Sequence, residues 1–159
     1  MCCHNYSTKV TGVKNVGGLI GFVESGSVSE VKIDICSSSG EVNAIDSENN
    51  DQYIGVMFGA IKKNEKNIII SFCNSTGKGT ASNSKDVGGF VGNWNDGQIA
   101  SECRSTGIVT APNSQNVGGF AGSISTSSSN LNILGLYSES DVNVTGAGSN
   151  VGGFAGLIS

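Results

Sequence analysis

Residues 87–92 read Val-Gly-Gly-Phe-Val-Gly, and this six-residue phrase recurs along the chain with small changes. Its five copies begin at residues 16, 54, 87, 117 and 151, so the steps between them are 38, 33, 30 and 34 residues. A second phrase, Cys-x-Ser-Ser/Thr-Gly, follows at 36–40, 73–77 and 103–107, with a variant at 137–141. Self-similarity at a period of about 20–50 residues indicates a repeat protein, in which each unit packs against its neighbours.

The units are predicted to consist of strands. No stretch keeps a helical spacing of apolar residues, and clusters of Ser, Asn, Asp and Gly separate short runs rich in β-branched residues. We therefore predict an all-β fold, a parallel β-solenoid (β-helix) of about five coils, each with about 30–38 residues and about three short strands. Residues 1–159 form one such repeat domain, which we expect to be a segment of a longer repeat protein.

Alternation along the glycine phrase assigns its side chains to two faces. One face is predicted to form an interior stack, with glycines on either side of each large residue leaving room for it; its members are Leu19, Met57, Phe90, Phe120 and Phe154. The opposite face is interpreted as a smooth outer wall of Gly18, Gly89, Gly119 and Gly153 followed by Ile20, Val91, Ala121 and Ala155. Just before the phrase, a column of Asn15, Asp86, Asn116 and Asn150 suggests a ladder of stacked amides.

Three of the five cysteines, Cys36, Cys73 and Cys103, occupy one repeat position. An odd count excludes complete pairing into disulfides within one chain. Equivalent residues on stacked coils lie about 4.8 Å apart, but their parallel side chains do not suit the dihedral angle of a disulfide. The favoured interpretation is a buried column of reduced thiols that packs as small hydrophobes, with disulfides or a metal site as the alternatives.

The paired phrases resemble the GLUG motif, which is named for its Gly-Leu-any-Gly core. GLUG repeats occur in large secreted or surface proteins, including filamentous-haemagglutinin-like adhesins and some IgA-peptidase-type proteins. The second unit departs from the pattern, since Val56 stands where the other units have the second glycine. The resemblance implies a surface, passenger or stalk role, and it supplies no catalytic residues.

Catalysis is not predicted from the residues present. His4 is the single histidine, so a Ser-His-Asp or Cys-His nucleophile would depend on it alone. The glycine phrases lack the Lys-Ser/Thr pair of a phosphate loop, and the acidic residues do not recur in one column as the paired carboxylates of a glycosidase would. We predict no enzyme, no cofactor and no metal site, and keep a polysaccharide-acting β-helix enzyme as an alternative.

A second alternative is binding to ice or to another flat lattice. It would use one outward column of polar residues, one from the third predicted strand of each unit. The column consists of Thr11, Asn43, Thr80, Thr110 and Thr145. Two parallel Thr columns would be expected for such a face, and the sequence offers one. Threonine is also an ordinary surface residue of strands.

Composition limits the partners. The net charge is −4 and the nine Lys and Arg are scattered, which argues against nucleic acid. No apolar run is long enough to span a membrane and the first residues do not form a signal peptide. We predict a structural or adhesive module, extracellular or at the cell surface as part of a larger protein, that attaches to a host or matrix protein or glycan. The predicted contact regions are the loops 46–51 and 62–67, and end-to-end self-association through the terminal coils is a further expectation.

Overall fold

The computed structural model describes residues 2–26, 30–46, 52–63, 67–96, 98–127, 133–148 and 150–159, with only the backbone described at 98–101. Every regular element in these ranges is a β-strand, and the strands pair in parallel. The same ranges contain no helix that could cross a membrane. The predicted β-solenoid is confirmed.

The strands follow the same order in each coil. The first coil contains β1 (His4–Asn5), β2 (Lys9–Gly12), β3 (Asn15–Gly17), β4 (Ile20–Glu24) and β5 (Glu30–Asp34). The second contains β6 (Ser37–Ser38), β7 (Glu41–Ala44), β8 (Tyr53–Gly55), β9 (Phe58–Lys62) and β10 (Asn67–Ser71). The third contains β11 (Asn74–Ser75), β12 (Lys78–Thr80), β13 (Asp86–Gly88), β14 (Val91–Asn95) and β15 (Gln98–Ser101). The fourth contains β16 (Cys103–Ser105), β17 (Ile108–Thr110), β18 (Asn116–Gly118) and β19 (Ala121–Ser125). The last contains β20 (Leu136–Ser138), β21 (Asp141–Asn143), β22 (Asn150–Gly152) and β23 (Ala155–Ile158).

Equivalent strands of successive coils pair in register and form five sheets. Sheet A contains β1, β6, β11, β16 and β20; sheet B contains β2, β7, β12, β17 and β21; sheet C contains β3, β8, β13, β18 and β22. Sheet D contains β4, β9, β14, β19 and β23, and sheet E contains β5, β10 and β15. In sheet A, His4 pairs with Ser37, Ser37 with Asn74, Asn74 with Arg104, and Arg104 with Tyr137. The coils therefore differ in length, and in sheets A to D the loops absorb the difference without shifting the register. In sheet E the register shifts by one residue between β10 and β15, because Ile70 pairs with Ile99 and Ser71 with Ser101.

A complete coil has five strands where about three are predicted, because the strand of the glycine phrase is bent into two and the Cys-x-Ser phrase adds a short strand of its own. The glycine phrase bends at Gly89 and Phe90, which separates β13 from β14. The chain turns after β10 at Phe72, which has φ 53°, and the short strand β11 in the Cys-x-Ser phrase follows this turn.

Two apolar clusters fill the solenoid. The larger one draws on sheets A, D and E, and its rings stack along the axis: the centroid distances are 5.4 Å for Phe58–Phe90, 4.5 Å for Phe90–Phe120 and 5.0 Å for Phe120–Phe154. Met57 is fully buried in it, whereas Leu19 and Phe154, in the end coils, are partly buried. The smaller cluster draws on sheets B and C and is built from Val, Ile and Ala.

The predicted outer wall is wrong. Val91 and Ala121 are fully buried in the same cluster as Phe90, and Ile20 and Ala155 pack against it. The bend interrupts the alternation of the strand, so that two consecutive residues, Phe90 and Val91, both face the core.

The repeated glycines serve the backbone rather than the rings. A Cβ on Gly88 would collide with the carbonyl oxygen of Val91, and a Cβ on Gly92 would collide with the backbone nitrogen of Ile54. Neither glycine has a positive φ, so what they provide is close approach and not conformational freedom. The glycines thus allow the backbones of sheets C and D to pack directly on each other, and the expectation that they leave room for the large residues is wrong.

A buried serine column joins the two repeated phrases. Ser38 Oγ donates a hydrogen bond to the carbonyl oxygen of Val56 (2.9 Å), and Ser75 Oγ donates to that of Gly89 (2.6 Å). In the last coil Ser138 Oγ donates to the carbonyl oxygen of Gly153 (2.8 Å). In these three coils the serine thus satisfies a carbonyl of the glycine phrase that follows it, which links the two phrases physically. In the fourth coil the equivalent Ser105 Oγ lies 2.8 Å from Ser140 Oγ.

The predicted amide column is present in sheet C. Asn150 Nδ2 donates to Asn116 Oδ1 (2.7 Å), and Asn116 Nδ2 donates to Asp86 Oδ1 (2.6 Å), so each amide donates toward the preceding coil. Tyr53 occupies the position between Asp86 and Asn15. It interrupts the ladder, and Asn15 Oδ1 is buried without a hydrogen-bond partner.

Candidate functional site

A shallow groove of about 690 Å³ runs along the solenoid where sheet A turns into sheet B. Four successive coils each contribute three consecutive residues to it, at equivalent positions. The lining residues are Ser7, Thr8 and Lys9; Ser39, Gly40 and Glu41; Thr76, Gly77 and Lys78; and Thr106, Gly107 and Ile108.

Glycine at the middle position lets the coils approach closely at this corner. A Cβ on Gly77 would collide with the carbonyl oxygen of Gly40, and a Cβ on Gly107 would collide with that of Gly77. The absence of side chains at Gly40, Gly77 and Gly107 leaves the floor of the groove to the backbone. The hydroxyls of Ser39, Thr76 and Thr106 flank this floor on one side.

The other side of the groove carries mixed charge. Lys9, Glu41, Lys78 and Ile108 pair in register along sheet B, so the sign alternates from coil to coil before it ends in an apolar residue. Among the described residues that line the groove, Glu41 is the single carboxylate. A groove of this kind can offer hydrogen bonds that repeat at the spacing of the coils, about 4.8 Å, and it has no pair of carboxyls for acid–base chemistry.

The predicted lattice face needs a correction at its last member. In sheet B, Thr11 pairs with Asn43, Asn43 with Thr80, Thr80 with Thr110, and Thr110 with Asn143. Thr145 lies two residues beyond this column, after the end of β21. The misplacement arose because Val142-Asn143 and Val144-Thr145 match the same pattern two residues apart. The column therefore contains three threonines and two asparagines, and its neighbour on the same side of the strand is the charged column of Lys9, Glu41 and Lys78.

The thiol column lies in the larger apolar cluster. Cys36, Cys73 and Cys103 are buried, and none of the five cysteines forms a disulfide. Burial raises the pKa of the Cys36 thiol, and contact with the Cys103 thiol together with burial raises the pKa of Cys73. Cys73 Sγ donates to the carbonyl oxygen of Ser71 (3.1 Å). The hydrogen bond with the Cys73 thiol acts in the opposite direction on Cys103 and lowers its pKa. Because the thiolate is the nucleophile and the metal-binding form, burial and a raised pKa make the Cys36 and Cys73 thiols unreactive.

A small polar group lies on the outside of the first coil. Cys2 Sγ is 3.4 Å from His4 Nε2, and His4 Nδ1 is 2.7 Å from Ser37 Oγ. The sequence placed Cys2, Cys3 and His4 side by side, but the contact with Ser37 depends on the pairing of β1 with β6. Within the described ranges, no three His, Cys, Asp or Glu side chains come together as metal ligands would.

The two loops predicted as contact regions fall largely on 47–51 and 64–66, which lie outside the described residues. At the described end of the first loop, Asp46 Oδ2 accepts a hydrogen bond from Asn83 Nδ2 (2.7 Å). At that of the second loop, Lys62 Nζ lies 4.0 Å from Glu24 Oε1. These contacts tie the loop bases to neighbouring coils.

No family model, no curated protein and no solved structure matches this chain. The resemblance to GLUG repeats therefore stays a prediction. The groove, which the sequence analysis did not identify, is the feature of the described surface on which a functional proposal can be built.

Proposed function

We propose that the chain is a non-catalytic adhesive module, a rigid piece of a GLUG-type surface or secreted protein that attaches to an extended polar polymer. The observation that carries the proposal is the groove, in which four coils present equivalent hydroxyls and backbone groups in one line. A single coil offers few hydrogen bonds, and each is worth only about 0.5–1.5 kcal/mol net. Repetition along the axis adds such contacts on one rigid support.

The polymer is expected to be a polysaccharide. Sugar hydroxyls both donate and accept hydrogen bonds, which suits a groove lined by serine and threonine hydroxyls, backbone carbonyls and charges of alternating sign. An anionic or cationic polymer would be favoured by a column of one sign, and Lys9, Glu41 and Lys78 do not form one.

Binding to a panel of soluble polysaccharides, measured by titration calorimetry, tests this function. Three arginine substitutions on one coil separate the surfaces: Thr76→Arg in the groove, Thr80→Arg in the Thr/Asn column, and Asn74→Arg on sheet A as the control. We expect Thr76→Arg alone to abolish binding. Loss through Thr80→Arg would instead support the lattice-binding alternative, and release of reducing ends from any polysaccharide would support an enzyme.

A further inference from the structure

A cysteine, a histidine and a serine form a chain of polar contacts on the outside of the first two coils. Cys2 Sγ lies 3.4 Å from His4 Nε2, and His4 Nδ1 lies 2.7 Å from Ser37 Oγ. A nucleophile that contacts a base, which in turn contacts an orienting group, is the arrangement of an activated thiol. None of the three residues lines the groove.

The exposure of Cys2 follows from its column in the solenoid. The pairing of β1 with β6 and of β6 with β11 places Cys2 in a column with Ile35 and Phe72. Ile35 and Phe72 are each 56% exposed, although neighbouring coils lie on both sides of each. Cys2 is exposed as well, so a reagent in solution can reach its thiol while the coils stay folded.

His4 is held beside this thiol by two neighbours. Its ring stacks on Tyr6, with the ring centroids 5.6 Å apart and the planes at 15°. Ser37 is fixed by backbone pairing, since its amide donates a hydrogen bond to the carbonyl oxygen of Cys3 (3.0 Å). When Nδ1 carries the ring proton and donates it to Ser37 Oγ, the lone pair of Nε2 faces Cys2 Sγ and can accept the thiol proton.

The carbonyl oxygen of Ile35 is a second acceptor for the thiol proton, at 3.0 Å from Cys2 Sγ. This hydrogen bond keeps the neutral thiol in place next to the imidazole. A thiolate has no proton to donate. Once the proton has passed to His4 Nε2, the carbonyl oxygen and the sulfur repel each other, which turns the exposed sulfur toward solvent and toward a reagent.

We propose that Cys2 is a site of thiol–disulfide exchange, at which this chain becomes joined as a mixed disulfide to a molecule that carries a disulfide. His4 Nε2 takes the proton from Cys2 Sγ, and the thiolate attacks one sulfur of the incoming disulfide. A new S–S bond forms to Sγ, the incoming S–S bond breaks, and the departing sulfur takes the electron pair and then the proton from His4 Nε2. The exchange needs no other oxidant, and it does not depend on the proposed binding of a polysaccharide.

The mixed disulfide at Cys2 should persist, because none of the other four cysteines is placed to displace it. Cys36, Cys73 and Cys103 are buried. Cys3 packs against the larger apolar cluster, and its amide donates to Cys36 Sγ (3.2 Å). A site that reduces disulfides repeatedly has a resolving cysteine beside the attacking one, so this site suits stable attachment and not turnover.

Exchange with oxidised glutathione, followed by mass spectrometry of the intact chain and its peptides, tests the proposal. The wild-type chain should gain one glutathione, on Cys2, and Cys2→Ser should gain none in the same time. The matched control is Phe72→Cys in the Cys2→Ser background, which exposes a thiol in the same column without a histidine two residues later. We expect Cys2 to react at least about tenfold faster than this control, because only a few per cent of an unassisted thiol is ionised near pH 7.

Variants of the two partners test the role of each. His4→Gln should slow the exchange to the rate of the Phe72→Cys control. Ser37→Ala should slow it by a smaller factor, and Ser37→Thr, which keeps the hydroxyl, should restore the wild-type rate. Protection of Cys73 from alkylation shows in each variant that the coils remain folded.

A peptide closed by one disulfide is the second probe. Faster exchange with it than with glutathione points to a protein disulfide as the natural source, and the reverse points to a small one. Equal rates for Cys2 and the Phe72→Cys control, or an undiminished rate in His4→Gln, would overturn the proposal.

Discussion

Single serines connect the two repeated phrases of this chain. Ser75 is fully buried, and its hydroxyl is the donor that satisfies the carbonyl of Gly89 in the following phrase. A buried carbonyl that loses its donor keeps the cost of its desolvation. The serine hydroxyls therefore stabilise the contact between the two phrases in the three coils that contain Ser38, Ser75 and Ser138.

Ser75→Ala is expected to lower the free energy of unfolding by about 1–3 kcal/mol, since it leaves the Gly89 carbonyl buried without a partner. Thr76→Ala, at the exposed next residue, is the matched control and should change it by less than about 0.5 kcal/mol. Urea melts of the two variants measure the difference. Equal effects would mean that the Ser75 hydrogen bond contributes no stability.

The cysteines should differ sharply in reactivity. Cys2 is exposed and Cys3 is partly exposed, whereas Cys36, Cys73 and Cys103 are buried. Alkylation of the native protein should therefore modify Cys2 first, and the buried three only after denaturation. Mass spectrometry of peptides after timed labelling measures this order, and rapid native labelling of Cys73 would contradict the buried column.

At the scale of the strand, alternation predicted part of the interior and failed at the bends. Met57, Phe90 and Phe120 are buried as expected, because the residues on one side of a bend keep their phase. Simple alternation places Val91 and Ala121 on the outside. Nothing in the residue types of the Gly-Gly-Phe phrase marks the bend that turns them to the core. The recurrence of the glycines was informative, but their physical reason, contact between two backbones, becomes visible only in three dimensions.

Gly92→Ala tests the contact between sheets C and D. The added Cβ would collide with the backbone nitrogen of Ile54, and backbone cannot move aside as a flexible side chain can. We expect a loss of about 1–3 kcal/mol, as overpacking produces. Gly26→Ala is the control because a Cβ there meets nothing within 4 Å. Thermal melts that rank the two variants the other way would refute direct packing of the backbones.

The turn after β14 has an acidic anchor. Asp96 has φ 53°, and its carboxylate accepts three hydrogen bonds. The donors are the Ser127 hydroxyl, the Ser127 backbone amide (2.7 Å) and the Thr126 hydroxyl (2.9 Å). These hydrogen bonds, that of the Ser127 hydroxyl foremost, hold the pKa of Asp96 below its ordinary value of 3.8. A carboxyl with a lowered pKa in the folded state stabilises the fold above the pKa of the unfolded chain, and this contribution is lost as the pH falls through the folded value.

Ser127→Ala should therefore raise the pKa of Asp96 toward 3.8. The fold should then lose less stability when Asp96 is protonated below that pH. Carbon-detected NMR titration of the carboxyl measures the shift. A wild-type carboxyl that titrates at or above 3.8 would contradict the hydrogen-bonded anchor.

For the whole molecule, the strands of each coil pair only with those of the coils beside it in the described ranges, so stability should vary along the axis. The fully buried apolar residues lie in the inner coils, and Val151 and Ile158 of the last coil are more than half exposed. Hydrogen exchange should be slowest in β9 and β14 and fastest in β23. Uniform protection over all coils would indicate a single cooperative unit instead.

At the scale of the whole molecule, the groove is a feature that was not predicted from the sequence. The triplets Ser39-Gly40-Glu41, Thr76-Gly77-Lys78 and Thr106-Gly107-Ile108 recur visibly, and their periodicity could have been noted as a surface feature. Whether such a corner is concave depends on the angle between sheets A and B, which residue types do not specify. The Thr145 error has a similar origin, since two overlapping dipeptides fit the same pattern and only strand pairing distinguishes them.

The register of the coils also has a consequence for how the chain folds. In sheet A, partners are one full turn apart, as with Ser37 and Asn74 or Asn74 and Arg104. None of the described strands pairs with a close neighbour in the chain. The first pairing must therefore close a loop of about thirty residues before any hydrogen bond compensates the lost entropy. Once two coils have formed, each further coil docks on a finished template. We expect a slow nucleation followed by rapid growth toward both ends.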